Sequence, residues 1–339
     1  MKKSILILLT LTVCSGLILL TLDRLMGNQS EKLNGFKRTA LITNLQKIND
    51  YTLEKPAYSI TGCKNNKLFL SNATPGEIVV MDLSTGTTKT ERINIGHIEK
   101  LNGAFHTTVN YPEIFITGTN AKKIIRGNLQ TGKAEIFNVN TGPVLSSVIT
   151  GPDDAIIRYL DTNSLELYFA KFNFEKGITG KPVKVAPVVN NDIFSYDGWL
   201  TYDNLAHKAA YVNYYCNGIT RFDNELNDLK RTTTIDKSSV PKISVAHLET
   251  AVTNSAPPQW VNKSSFMYNN TLYVLSTLKA DNESAKKFRE NIVIDMYDTG
   301  YKGSFYIPVP SSEILQFSII GAKKIAVLTK TGIQIFQLS

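Results

Sequence analysis

The chain repeats itself. A strand-sized run rich in branched and aromatic residues occurs six times, over residues 78–83, 124–129, 169–174, 219–224, 294–299 and 333–338. Each run closes on a polar turn position: Asp82, Asn128, Asn173, Asp223, Asp298 or Gln337. A second apolar run precedes it, at 68–71, 114–117, 155–158, 209–212, 271–274 and 325–328. A third precedes that one, at 58–60, 106–109, 146–149, 198–201, 259–261 and 316–319.

Short strands of Ile, Val, Tyr and Phe, parted by Gly, Asn and Asp turns at a period of about 45 residues, are how a β-propeller is written in sequence. The turn chemistry agrees. Asp82 with Gly86, and Asn128 with Gly132, each supply a side-chain acceptor for the following backbone and a residue free to take positive φ. These turns lead into a more polar fourth strand, expected at 88–95, 134–139, 182–188, 229–235 and 304–309. The sixth repeat stops after its third strand, so a ring without open sheet edges takes its last strand from the N-terminal segment, within residues 36–45. The expected fold is therefore all-β: a six-bladed propeller of four-stranded blades, closed by an N-terminal strand and preceded by one hydrophobic helix.

On these turns and this rhythm, over residues 36–339, the chain resembles the six-bladed propeller superfamily that includes TolB-like, NHL-like and YVTN-type repeat proteins. The resemblance implies a fold rather than an activity, since its members include scaffolds, sensors, ligand binders and lyases. Better-marked propellers do not fit. No Trp-Asp pair closes a blade and no double glycine marks a kelch repeat. Neither Trp199 nor Trp260 follows a Thr-Gly turn as a quinoprotein blade requires.

Ahead of the repeats, Lys2 and Lys3 precede an uncharged apolar stretch over residues 5–22. About 18 such residues reach across most of a bilayer's hydrocarbon core as a helix. A cleaved signal peptide wants a shorter apolar region and a small-residue site, and none precedes Asp23. A lipoprotein wants a small residue before the modified Cys, whereas Val13 precedes Cys14. An uncleaved anchor with the lysines in the cytoplasm fits best; secretion after cleavage is the alternative. The expected organisation is a signal anchor over 1–26, a linker over 27–35 and the propeller over 36–339, in the membrane with the C-terminal domain outside the cytoplasm.

The net charge of +8 is spread along the chain as isolated pairs such as Lys122-Lys123, Lys286-Lys287 and Lys323-Lys324. Without a basic stripe interleaved with aromatics, nucleic acid is not an expected partner. Cys63 falls in the first blade and Cys216 in the fourth, on opposite sides of a six-bladed ring, while a disulfide needs Cα atoms within about 7 Å. Both are read as unpaired, buried thiols. His97, His106, His207 and His247 show no metal-ligand spacing, so neither a metal nor a cofactor is expected. The acidic pairs Asp153-Asp154 and Asp192 with Asp197 lack the spacing of a calcium loop.

A propeller binds where loops converge on the axial channel, and residues 190–199 form the richest such loop, combining aromatic, amide and carboxylate groups suited to sugar, peptide or amphiphilic ligands. The candidate ligand-binding residues are His106, Asp192, Tyr196, Asp197, Trp199 and Trp260, although packing between blades is the simpler reading of both Trp side chains. Two insertions break the period: a long connection over 236–258 and a charged, helix-prone segment over 279–291. The expected function is a membrane-tethered module, without catalysis, that binds a protein or small ligand at the channel mouth or these loops. A metal-dependent hydrolase or lyase, with Asp192 or Asp197 holding a divalent cation at the same mouth, is the alternative.

Overall fold

In a computed structural model of the protein, the described residues are 33–42, 45–96, 105–118, 122–185, 194–247, 252–321 and 323–338, with Thr12, residues 14–17 and Thr21 near the N-terminus. They form six antiparallel sheets arranged as the blades of a propeller. Blade 1 is Ser59–Lys64, Lys67–Ser71, Glu77–Asp82 and Thr88–Arg92. Blade 2 is Phe105–Asn110, Glu113–Gly118, Lys123–Asn128 and Ala134–Asn138. Blade 3 is Val144–Ile149, Asp154–Asp161, Glu166–Asn173 and Gly177–Lys184. Blade 4 is Gly198–Asp203, Lys208–Asn213, Gly218–Asp223 and Lys230–Thr233. Blade 5 is Asn262–Tyr268, Thr271–Ser276, Ile292–Tyr297 and Tyr301–Ile307. Blade 6 takes Ile314–Ile320, Lys324–Thr329 and Gly332–Leu338 from the C-terminus.

The outer strand of blade 6 is Leu45–Thr52, antiparallel to Gly332–Leu338, so the N-terminal segment does close the ring. It lies just downstream of the window expected from sequence. Residues 36–45 are held elsewhere: Ala40–Ile42 runs parallel to the outer strand of blade 5, making that sheet five-stranded. Gly332 is obligatory at the seam, because a Cβ there would sit 2.0 Å from the Tyr51 carbonyl oxygen.

Each blade buries both of its faces against its neighbours, so its inner strands read as continuous apolar runs rather than alternating ones. Six apolar clusters result, one between each pair of successive blades, including Phe69 with Ile116 between blades 1 and 2 and Phe305 with Phe317 between blades 5 and 6. The turn acceptors behave as expected. Asp82 Oδ1 accepts from Ser84 N at 2.8 Å, Asn128 Oδ1 accepts from Gln130 N at 3.0 Å, and Gly86 and Gly132 have φ of 75° and 68°. The Ser84 hydroxyl, which also donates to Oδ1, and the Ser84 backbone N–H hold the Asp82 carboxyl below its ordinary range.

Two strand assignments shift. Residues 259–261 are not a strand, and the innermost strand of blade 5 begins at Asn262. In blade 3 the outer strand starts at Gly177, ahead of the expected 182–188. Its register slips between Phe169 and Lys171, where Gly180 at φ 72° and Pro182, which has no N–H for the ladder, are absorbed in a bulge. Of the insertions, 279–291 contains the helix Ala285–Glu290, capped by Ser284, whose side chain accepts from Lys287 N at 3.2 Å. The connection 236–258 carries a small hairpin, Val245–His247 with Val252–Asn254. The apolar stretch over 5–22 lies largely outside the described residues, and among those described no helix is long and apolar enough to cross a membrane.

Candidate functional site

The innermost strands contact one another in sequence around the ring, from blade 1 through blade 6 and back to blade 1. They stay close because small or hydroxyl-bearing residues let them approach. At Gly62 a Cβ would lie 2.2 Å from the Val109 carbonyl oxygen of the next blade. Gln316 spans the seam between blades 6 and 1, accepting from Ile60 N at 2.8 Å and donating to Ile60 O at 3.1 Å. Thr201 Oγ1 accepts from Met267 N at 3.1 Å between blades 4 and 5.

These strands enclose an axial cavity of 660 Å³ to which all six blades contribute. Its wall continues to the hairpin turns that leave the innermost strands, at Asn65, Asn204, Leu205 and Gly321. On that side, the turn face of the ring, the cavity reaches the turns; the loop face, which carries the long connections between blades, lies opposite. His106 and Trp199 meet near the loop-face ends of their strands, ring centroids 6.1 Å apart and nearly perpendicular. Burial lowers the His106 pKa, which favours a neutral imidazole.

The wall is largely uncharged, and its accessible surface is somewhat more apolar than polar. The hydroxyls of Thr107, Ser265 and Ser318 are buried without a partner in the protein. Among the described lining residues Asp203 is the one carboxylate, and it is committed. Oδ1 accepts from Leu205 N and Ala206 N at 2.9 and 3.3 Å, and Oδ2 accepts from Asn270 N at 2.6 Å. Cys63 also lines the cavity, half-buried, and burial pushes its thiol up to about 11, so it is protonated at neutral pH. Cys63 and Cys216 are both free.

Five of the six sequence candidates divide among three places. His106 and Trp199 belong to the cavity wall. Tyr196 and Asp197 lie on the loop face, where Asp197 pairs with the buried Arg158 and accepts from its own neighbour Gly198 N at 2.9 Å. Arg158 donates a second bond to Tyr211 Oη at 2.7 Å, and Tyr211 in turn donates to the Tyr196 carbonyl at 2.8 Å. The Arg158 Nε is buried without a partner. Asp192 lies outside the described residues. Trp260 is remote from the cavity: 41% exposed, it packs on Tyr214 and Tyr215 with centroids 5.0 and 5.1 Å away. It lines a separate 320 Å³ groove between blades 5 and 6, beside Phe288 of the short helix. Among the described residues no three His, Cys, Asp or Glu side chains are placed to hold a metal ion.

Sequence reasoning missed Arg158 and the channel hydroxyls. Arg158 sits in the middle of an apolar strand and carries no motif. Every observed innermost strand does carry a Ser or Thr: Thr61, Thr107, Ser147, Thr201, Ser265 and Ser318.

No protein family's sequence profile matches the chain, and no curated protein matches it either. Solved structures do resemble it in fold. A member of the DUF4221 family from Bacteroides vulgatus superposes with a TM-score of 0.55 at 13% identity, over 91% of this chain and 98% of that one. A streptogramin B lyase superposes with a TM-score of 0.51 at 13% identity, over 87% and 98%. Together with the six sheets, these likenesses make the chain a six-bladed β-propeller.

Proposed function

We propose that the protein is a membrane-tethered, extracytoplasmic binding module whose small ligand occupies the axial cavity, reached from the turn face. One observation carries the reading. All six blades contribute to one axial cavity of 660 Å³, whose wall includes His106, Asn110, Trp199 and Asn204. Amide, imidazole and indole groups around such a wall suit a hydroxyl-rich or amide-bearing ligand. With Trp199 as an apolar wall, the ligand class is a sugar or short peptide.

The committed state of Asp203 supports binding over hydrolysis in the cavity, since glycoside hydrolysis takes a pair of free carboxylates. On the loop face, Asp197 is engaged by Arg158 and its own backbone rather than directed at a cation. The test is calorimetric titration with a panel of oligosaccharides and di- and tripeptides, run beside product analysis with and without EDTA. Saturable binding without turnover supports the reading; EDTA-sensitive product formation would replace it with the hydrolase or lyase. The tether is tested by carbonate extraction of membranes from the producing cell, where a protein released like a peripheral one contradicts it.

A further inference from the structure

We propose that the loop face of the ring rests on an anionic lipid surface, so that the axial cavity opens away from the membrane. This rests on the membrane-tether reading above and adds the ring's orientation to it. Three observations bear on that face.

The first is where the N-terminal segment joins the ring. Asn34 N and Gly35 N donate to the Asp281 carboxylate at 2.7 and 3.0 Å, and Asn34 Nδ2 donates to the Lys279 carbonyl at 2.8 Å. Residues 279 and 281 follow the second strand of blade 5, at its loop-face end. Eleven residues, 23–33, separate Asn34 from the apolar stretch. They span at most about 40 Å when fully extended, which bounds how far the loop face around blade 5 lies from the bilayer.

The second is charge. In the sector of blades 4 to 6, Lys237, Lys242, Lys286, Lys287 and Arg289 are exposed on the loop face, against the exposed acids Glu290 and Glu313. Lys237 lies beside the incoming segment, its Cδ 3.2 Å from where a Cβ at Gly35 would be. The turn face of the same blades is also basic, with Lys208, Lys302, Lys323 and Lys324 exposed against Glu225 and Asp228, so it is the attachment of the N-terminal segment that selects the loop face.

The third is the placement of exposed apolar side chains. Tyr58, Leu165, Val240 and Trp260 stand on loops of the loop face, where Leu33 also arrives, whereas Leu205 alone among the large exposed apolar side chains described stands on a turn-face turn. Cations mixed with a Trp and a Tyr are the composition of a surface that lies in a lipid interface. A cation near an anionic bilayer strengthens attachment by about fivefold. The sector's cations thus hold down a ring that the tether already keeps close.

Trp260 is the built-in probe, since the chain has two Trp residues. Full-length protein carrying Trp199→Phe is reconstituted into phosphatidylcholine vesicles containing brominated lipid, with or without phosphatidylglycerol, and its emission is compared with that of the Trp260→Phe chain. The expected result is strong quenching of Trp260, increased by phosphatidylglycerol, and little quenching of Trp199 in the channel. K286E/K287E/R289E, and separately K237E/K242E, should lower the Trp260 quenching while the protein still floats with the vesicles. Protein that floats with Trp260 unquenched overturns the orientation and leaves the tether standing. Protein that fails to float after carbonate treatment overturns the tether, and the orientation with it.

Discussion

Two buried arginines show how the same chemistry serves different ends in this ring. Arg38, on the N-terminal segment, uses every donor of its guanidinium. Nε and one terminal nitrogen reach Asp295 at 2.8 and 3.2 Å, and that nitrogen also reaches Ser276 Oγ at 2.7 Å. The other terminal nitrogen donates to Glu283 and to the Leu278 carbonyl, each at 2.9 Å. Ser304 Oγ donates to Asp295 at 2.6 Å. Burial raises the Asp295 carboxyl, with Arg38 and Ser304 pulling the other way. Arg158, on the second strand of blade 3, is just as buried but leaves Nε unpartnered, and its partner Asp197 is a third exposed. A saturated network of this kind fixes geometry, whereas one that leaves a donor unmade holds its residues less tightly. The saturated site holds the segment that carries the chain into the ring-closing strand.

The contrast is broken most forcefully at Arg38. Arg38→Met leaves Asp295 and Glu283 buried without their cation, and should cost about 3–5 kcal/mol of unfolding free energy in a denaturant titration. A loss below about 1 kcal/mol would mean that the segment is a passenger rather than a latch. Arg158→Met strips fewer bonds and exposes its partner to water more readily, so about 1–3 kcal/mol is expected in the same titration. Equal costs at the two sites would erase the distinction drawn between them.

At the channel wall the sign should reverse. Ser318→Ala and Thr107→Val remove hydroxyls that have no protein partner, so unfolding free energy should stay level or rise by about 1 kcal/mol. A clear loss of stability would show that these hydroxyls are satisfied within the fold.

The smallest effect concerns His106. Burial depresses its pKa in the folded state, so the unfolded chain binds the proton first as pH falls. Its contribution to stability is therefore complete above the unfolded value of about 6.5 and declines as pH drops below it. His106→Asn should flatten that part of the pH–stability curve, and an unchanged slope would place the titration elsewhere.

How much of this was written in the sequence follows from what each feature depends on. Strand identity is local, so runs such as Leu68–Leu70 and the Asp82 and Asn128 turns reveal the blades directly. Asn65-Asn66 and Asn269-Asn270 mark hairpins equally well, each residue at positive φ. The closing strand was displaced because its choice is not local: residues 36–42 carry an Arg whose partners lie some 240 residues away, and they are drawn to blade 5. Of the candidate residues, His106 and Trp199 fall on one wall because blade geometry brings innermost strands to one axis. Trp260 was grouped with them on the expectation that 259–261 was such a strand, and it falls outside the channel because that strand begins at Asn262. Arg158 stayed hidden because its role is set by residues of the next blade, Asp197 and Tyr211, which no spacing within one repeat encodes.

The most direct test of the account is saturation-transfer NMR with the sugar and peptide panel on the full-length protein, repeated on Trp199→Ala, His106→Ala and Trp260→Ala. The account predicts ligands whose signals are lost in the first two variants and kept in the third. Signals that survive both channel substitutions and vanish with Trp260 would contradict it and move the binding site to the groove on the loop face.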